Sequence, residues 1–127
     1  MKKIIDLIAP PGSGKDAKLL EYVRKNYLKD NMVTNICFIS GMGDENNHIQ
    51  LTASELENLA FNKNDKNTIY FFKSFYFGLD RDNYLKVIER MCVEDIQIFK
   101  TDQIKEHITS NQEWLDQYCT FLSLEDL

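Results

Sequence analysis

The chain has 127 residues, of which 43% are hydrophobic and 28% are charged, and its formal net charge is −5. This length fits a single domain spanning residues 1–127, and the composition is that of a soluble globular protein. The negative charge argues against a nucleic acid or an anionic membrane surface as the partner.

Apolar runs and helical patterns alternate along the chain. Strands are predicted at 3–8, 34–40, 68–73 and 94–99, because runs this apolar suit strands that are covered on both faces. Helices are predicted to start near Lys15, with Leu19, Leu20, Val23 and Tyr27 on one stripe, and near Asp82. Two more are predicted over 52–60, with a capping box whose N-cap is Thr52, and from Thr101–Asp102 to about 121. This order predicts an α/β fold, with a small parallel sheet of about four strands and helices on both faces.

The sequence also predicts the cellular setting. No apolar stretch reaches the ~18 residues of a membrane-spanning helix, and the amino-terminal strand is too short for a signal sequence. The three cysteines, Cys37, Cys92 and Cys119, form no Cys-x-x-Cys pair. We therefore expect a cytoplasmic protein with buried thiols and no protein metal site.

Residues 9–16 separate the first strand from the first helix and read Ala-Pro-Pro-Gly-Ser-Gly-Lys-Asp. They form most of a phosphate-binding loop (P-loop), whose backbone N–H groups wrap a phosphate at a helix N-terminus. The glycines let the backbone approach the phosphate, and the lysine supplies a positive charge. An aspartate, however, stands where the pattern has a hydroxyl for Mg²⁺. The predicted nucleotide-binding residues are Pro11, Gly12, Ser13, Gly14, Lys15, Asp16 and Ala17.

With this loop, the chain resembles the adenylate kinase family of nucleoside monophosphate kinases, whose loop reads Gly-x-Pro-Gly-x-Gly-Lys-Gly-Thr. The resemblance extends in pattern over about residues 2–110, including the ends of the second, third and fourth predicted strands. It implies a three-layer P-loop NTPase-like fold and ATP or GTP as the ligand.

The chain departs from the family at catalytic positions. Lys73 aligns with the carboxylate that helps to hold Mg²⁺, and Phe77 aligns with an arginine. The family's arginine-rich lid has no equivalent, because residues 104–127 contain no arginine. Phosphoryl transfer depends on cationic stabilisation of the phosphoryl oxygens. We therefore expect a weak or inactive kinase that binds a nucleotide or phosphate, has no clear need for Mg²⁺ and acts as a regulator.

Asp16 and Lys73 suggest a specific replacement for the metal. In the family, the loop strand lies beside the third strand, so the two positions would face each other. The sequence predicts an Asp16–Lys73 ion pair in the metal site, or else a lysine that only ends the strand in solvent.

Two other functions are open. The first is an active small nucleotide kinase that uses Lys15 and, as its best remaining arginine, Arg81. The second is a protein-interaction module that has lost its ligand and contacts a partner protein through Phe75, Tyr76 and Phe77, an aromatic cluster that extends past the third strand.

Overall fold

A computed structural model describes residues 1–28, 35–40, 49–62, 68–72 and 80–127. The strands in these ranges are β1 (Ile4–Ile8), β2 (Asn35–Ser40), β3 (Ile49–Gln50), β4 (Thr68–Phe72), β5 (Ile98–Asp102) and β6 (Cys119–Leu122). The helices are α1 (Lys15–Tyr27), α2 (Ala53–Asn62), α3 (Arg81–Val93) and α4 (Gln112–Tyr118).

The described strands form one parallel sheet in the order β3-β2-β4-β5-β1-β6. The predicted parallel sheet is confirmed, but the expected count of about four strands is wrong. Five strands have four or more residues, and β3, which has two, adds a sixth at one edge. Because the strands are parallel, their carboxyl ends lie along the same edge of the sheet, where the loops after β1 and β5 meet.

Helices cover both faces of the sheet, as predicted. On one face, α1 buries Leu19 and Val23 in a cluster that includes Leu7 of β1 and Phe99 of β5. On the other face, a larger cluster joins α2, α3 and α4 to the sheet, and its members include Leu56, Ile88, Leu115, Ile4 and Phe72. Each strand in the middle of the sheet is therefore buried on both faces, which explains its apolar character.

Local contacts fix the helices on the second face. The predicted capping box of α2 is confirmed, because Glu55 N–H donates to Thr52 Oγ1 at 3.1 Å and Thr52 N–H donates to Glu55 Oε1 at 3.2 Å. The indole Nε1 of Trp114 in α4 donates to Glu89 Oε1 of α3 at 2.6 Å. These bonds anchor the start of α2 and join α4 to α3.

The carboxyl-terminal third differs from the prediction. The fourth main strand lies at Ile98–Asp102 and not at 94–99, because α3 continues to Val93 and a turn follows in which Asp95 has a φ of 61°. The predicted helix from Thr101–Asp102 to about 121 is wrong. The chain instead forms a 3₁₀ turn at Lys105–His107, the short helix α4, and then β6, which pairs with β1.

Two predictions concerned membrane-spanning helices and the state of the cysteines. Among the described helices, none is both long enough and apolar enough to cross a membrane. The three cysteines are free thiols, of which Cys92 and Cys119 are buried and Cys37 is half-buried.

Candidate functional site

The segment 9–16, named here the glycine loop, connects the carboxyl end of β1 to the first residue of α1. Its first residue is attached to the neighbouring strand, since Ala9 N–H donates to the carbonyl of Asp102 at 3.1 Å. The middle of the loop is closed by Ser13, whose N–H and Oγ both donate to the carbonyl of Pro10, at 3.4 and 2.6 Å. The loop therefore has a defined shape at the carboxyl edge of the sheet.

Both glycines of the loop have a left-handed backbone, with φ of +75° at Gly12 and +72° at Gly14. Gly14 is also the N-cap of α1. A Cβ added at either position would come within 4 Å of no atom in the described part of the chain. The backbone conformation, and not a lack of space, is thus what requires glycine here. No described residue fills the space next to the two glycines.

The end of the loop and the first turn of α1 carry backbone donors without acceptors. The first hydrogen bond of α1 runs from Lys18 N–H to the carbonyl of Gly14 at 3.0 Å. Within the described residues, the N–H groups of Gly14, Lys15, Asp16 and Ala17 have no hydrogen-bond acceptor. Such groups at the start of a helix, together with the helix dipole, favour an anion.

Lys15 adds a cation to these donors. Its side chain is only 7% exposed, and it makes no hydrogen bond or ion pair with any residue in the ranges that the structure describes. The exposed Lys18, one turn further along α1, shows that the same helix also carries an ordinary solvated lysine. An anion bound beside Lys15 would give its ammonium group the partner that it lacks within these residues.

Asp16 is held by the neighbouring strand. The hydroxyl of Thr101, in β5, donates a hydrogen bond to Asp16 Oδ1. The predicted partner, Lys73, lies outside the described residues, so the Asp16–Lys73 pair stays a prediction. Its premise is wrong, however, because β1 lies between β5 and β6 and is separated from β4 by β5. Sequence reasoning missed Thr101 because it placed this residue at the start of a helix.

Asp16 stands where a P-loop has the hydroxyl that contacts Mg²⁺. Here the side chain is a carboxylate, and one of its oxygens accepts a hydrogen bond from the sheet. No step of the binding argued below involves the metal.

A buried group of charged residues lies on the other face of β1 and β5. Asp6 is 0% exposed and is paired in register with Lys100, whose Nζ lies 2.9 Å from Asp102 Oδ1. Among the described residues, both carboxyl oxygens of Asp6 and Asp102 Oδ2 lack a hydrogen-bond partner. Burial raises the pKa of Asp6 well above its usual value, and the charge of Asp102 adds to this effect while Lys100 opposes it.

A proton on Asp6 would supply a hydrogen bond that these carboxyl oxygens lack. Two ionised carboxylates have no hydrogen between them, whereas a protonated Asp6 can donate to Asp102. The direction of the Asp6 pKa shift agrees with this arrangement. The Lys100–Asp102 pair and its place beside Asp6 were not predicted, because the pairing of β1 with β5 is not visible in the sequence.

The remaining predicted site residues lie further from the loop or outside the described chain. Arg81 is the first residue of α3. The other end of α3 lies at the amino edge of the sheet, because the carbonyl of Cys92 accepts from Lys2 N–H. Arg81 therefore lies toward the carboxyl edge, but on the face opposite α1. The aromatic cluster of Phe75, Tyr76 and Phe77 falls outside the described residues.

A scan of the chain against protein-family models finds no match, and a search of curated proteins finds no matching relative.

Proposed function

We propose that this protein binds the phosphate group of a nucleotide, ATP or GTP, in the glycine loop of a P-loop NTPase-like fold. The observation that carries the proposal is the buried, unpaired Lys15 beside four backbone N–H groups that have no acceptor in the described residues. A phosphate supplies the charge and the acceptor oxygens that this arrangement lacks. The resemblance to adenylate kinases suggests the nucleotide.

We propose further that the bound phosphate is recognised and not transferred, so that the protein acts as a regulator. Two of the three arginines, Arg24 and Arg90, lie in the last turns of α1 and α3, at the edge of the sheet opposite the glycine loop. Lys100, which lies closer, is committed to Asp102. Phosphoryl transfer requires several cations around the transferred group, and Lys15 alone supplies little of that stabilisation.

Calorimetric titration with ATP, GTP and pyrophosphate, each with and without Mg²⁺, tests this function. We expect binding that Mg²⁺ does not strengthen and that Lys15→Ala abolishes. The matched control is Lys18→Ala, which removes an equal charge from an exposed position of the same helix. A ligand at about 100 times its Kd should also stabilise the fold by about 2.7 kcal/mol.

Two outcomes would replace the proposal. Transfer of the γ-phosphate that Lys15→Ala abolishes would establish an active kinase, for which Arg81 is the arginine nearest the carboxyl edge. If no nucleotide or phosphate binds to the wild-type protein, the ligand-binding function is wrong, and an interaction module becomes the function to test.

A further inference from the structure

The last two residues of β5 hold both ends of the glycine loop. The carbonyl of Asp102 accepts from Ala9 N–H at the start of the loop, at 3.1 Å. The hydroxyl of Thr101 donates to the carboxylate of Asp16 at its end. One strand end thus determines where the loop leaves β1 and where the Asp16 side chain is directed.

Thr101 is placed for this contact by the pleat of the sheet. It is 0% exposed and pairs in register with Leu7, which belongs to the core under α1. Its neighbours Lys100 and Asp102 are on the opposite face, because successive side chains of a strand alternate. The hydroxyl of Thr101 therefore faces α1, and the first turn of that helix carries Asp16.

The same first turn carries the N–H groups that would bind the phosphate. A carboxylate in the first turn of a helix is attracted to those groups and to the positive end of the helix dipole. An unrestrained Asp16 would therefore compete with the phosphate for its donors and would also repel its charge. The hydrogen bond from Thr101 restrains the carboxylate against the sheet.

We propose that Thr101 is a positioning residue of the loop, and that by holding Asp16 against β5 it keeps this carboxylate from competing with a bound phosphate for the N–H groups of the first turn. In a P-loop of the usual kind, a hydroxyl in the helix coordinates Mg²⁺; here, a hydroxyl in the sheet restrains a carboxylate instead. The inference rests on the proposed function, since it concerns the ligand of the same loop.

The test is a double-mutant cycle on pyrophosphate affinity, measured by calorimetry in buffer containing EDTA. Thr101→Val removes the hydroxyl and keeps the size and the β-branched shape of the side chain. We expect it to weaken pyrophosphate binding by about tenfold, the size of one hydrogen bond to a charged group. Thr101→Ser, which keeps the hydroxyl, should bind within about twofold of wild type.

The cycle separates a positioning role from a structural one. Asp16→Asn should bind pyrophosphate at least as tightly as wild type, and Asp16→Asn/Thr101→Val should match Asp16→Asn within about twofold, because no carboxylate is left to restrain. An equal loss from Thr101→Val in both backgrounds would overturn the proposal, since Thr101 would then support the loop independently of Asp16.

Two further results keep the test decisive. If Thr101→Val fails to fold, Asp16→Asn alone tests the restraint. If the carboxylate is restrained in wild type, Asp16→Asn should gain less than threefold in pyrophosphate affinity. A gain above about tenfold would show that Asp16 faces the phosphate in wild type and would refute the restraint. Absence of pyrophosphate binding to wild type overturns the proposed function. Normal binding to wild type and to Thr101→Val overturns only the role of Thr101.

Discussion

Replacing Asp6 by Asn should stabilise the protein at neutral pH and remove part of the pH dependence of its stability. Asp6 is 0% exposed, and burial, followed by the charge of Asp102, raises the pKa of its carboxyl group well above the usual value. The amide of Asn has nearly the same shape, is neutral at every pH, and can donate to Asp102 as a protonated Asp6 does.

The size of this effect on the free energy of unfolding follows from the titration of one carboxyl group, that of Asp6. Below about pH 4, Asp6 is protonated in both the folded and the unfolded chain, so its titration does not affect stability. Above about pH 4 the unfolded chain loses this proton while the folded chain keeps it. The free energy of unfolding then falls by up to about 1.4 kcal/mol per pH unit until the pH passes the raised pKa. The advantage of Asp6→Asn over wild type should therefore grow as the pH rises from about 5 to 7.

Urea unfolding of both proteins at several pH values and constant ionic strength measures this difference. Glu106→Gln, which removes an exposed carboxylate, is the control and should keep the wild-type slope. If Asp6 were instead ionised and paired with Lys100, the substitution would break a buried charge pair and cost about 3–5 kcal/mol at neutral pH. Loss of stability at pH 7, or parallel pH profiles for wild type and Asp6→Asn, would refute the protonated state of Asp6.

Three more outcomes are expected. Lys100→Met should destabilise the fold by about 3–5 kcal/mol near pH 7 in urea unfolding, because Asp102 would be left as a buried charge without its partner; a change within about 0.5 kcal/mol would contradict this. Gly14→Ala should lower the free energy of unfolding by about 1–2 kcal/mol, because Ala is strained in the left-handed backbone of this position and the added methyl group contacts no described atom. Calorimetry should also show weaker phosphate binding by this variant. Burial raises the pKa of Cys92 to about 12 and also raises that of Cys119, so neither thiol should react with a disulfide reagent at pH 8 until guanidinium unfolds the chain.

The amino-terminal half of the fold was predictable because its signals are local. The apolar run of β1, the glycines that follow it and the stripe of Leu19 and Val23 together specify a strand, a turn and a helix that begins at Lys15, as the structure shows. The capping box at Thr52 is equally local, since both of its hydrogen bonds span three residues. These features depend on neighbours along the chain and need no knowledge of the sheet order.

The carboxyl-terminal third was not predictable in this way, because its structure depends on contacts between residues that are far apart in the sequence. In β5, Lys100 and Asp102 are polar residues that a hydrophobic pattern excludes from a buried strand, and they are stable there only because they pair with each other and with β1. In β6, Cys119 continues the apolar stripe of α4, but pairing with Ile4 of β1 makes it the first residue of a strand. The strand order cannot be read from any single segment.

Successive side chains of β5 face opposite sides of the sheet, so neighbouring residues of this strand contribute to two different properties, the pH dependence of stability and the proposed binding of phosphate. Lys100 and Asp102 face the core of α2, α3 and α4 and, with Asp6, make stability depend on pH. Thr101, between them, faces α1 and controls the carboxylate beside the proposed phosphate. Thr101→Val should therefore change ligand affinity without changing the pH slope of stability, and Lys100→Met should change stability while leaving pyrophosphate affinity intact. The same strand end would then support the fold on one face and position the carboxylate beside the ligand on the other.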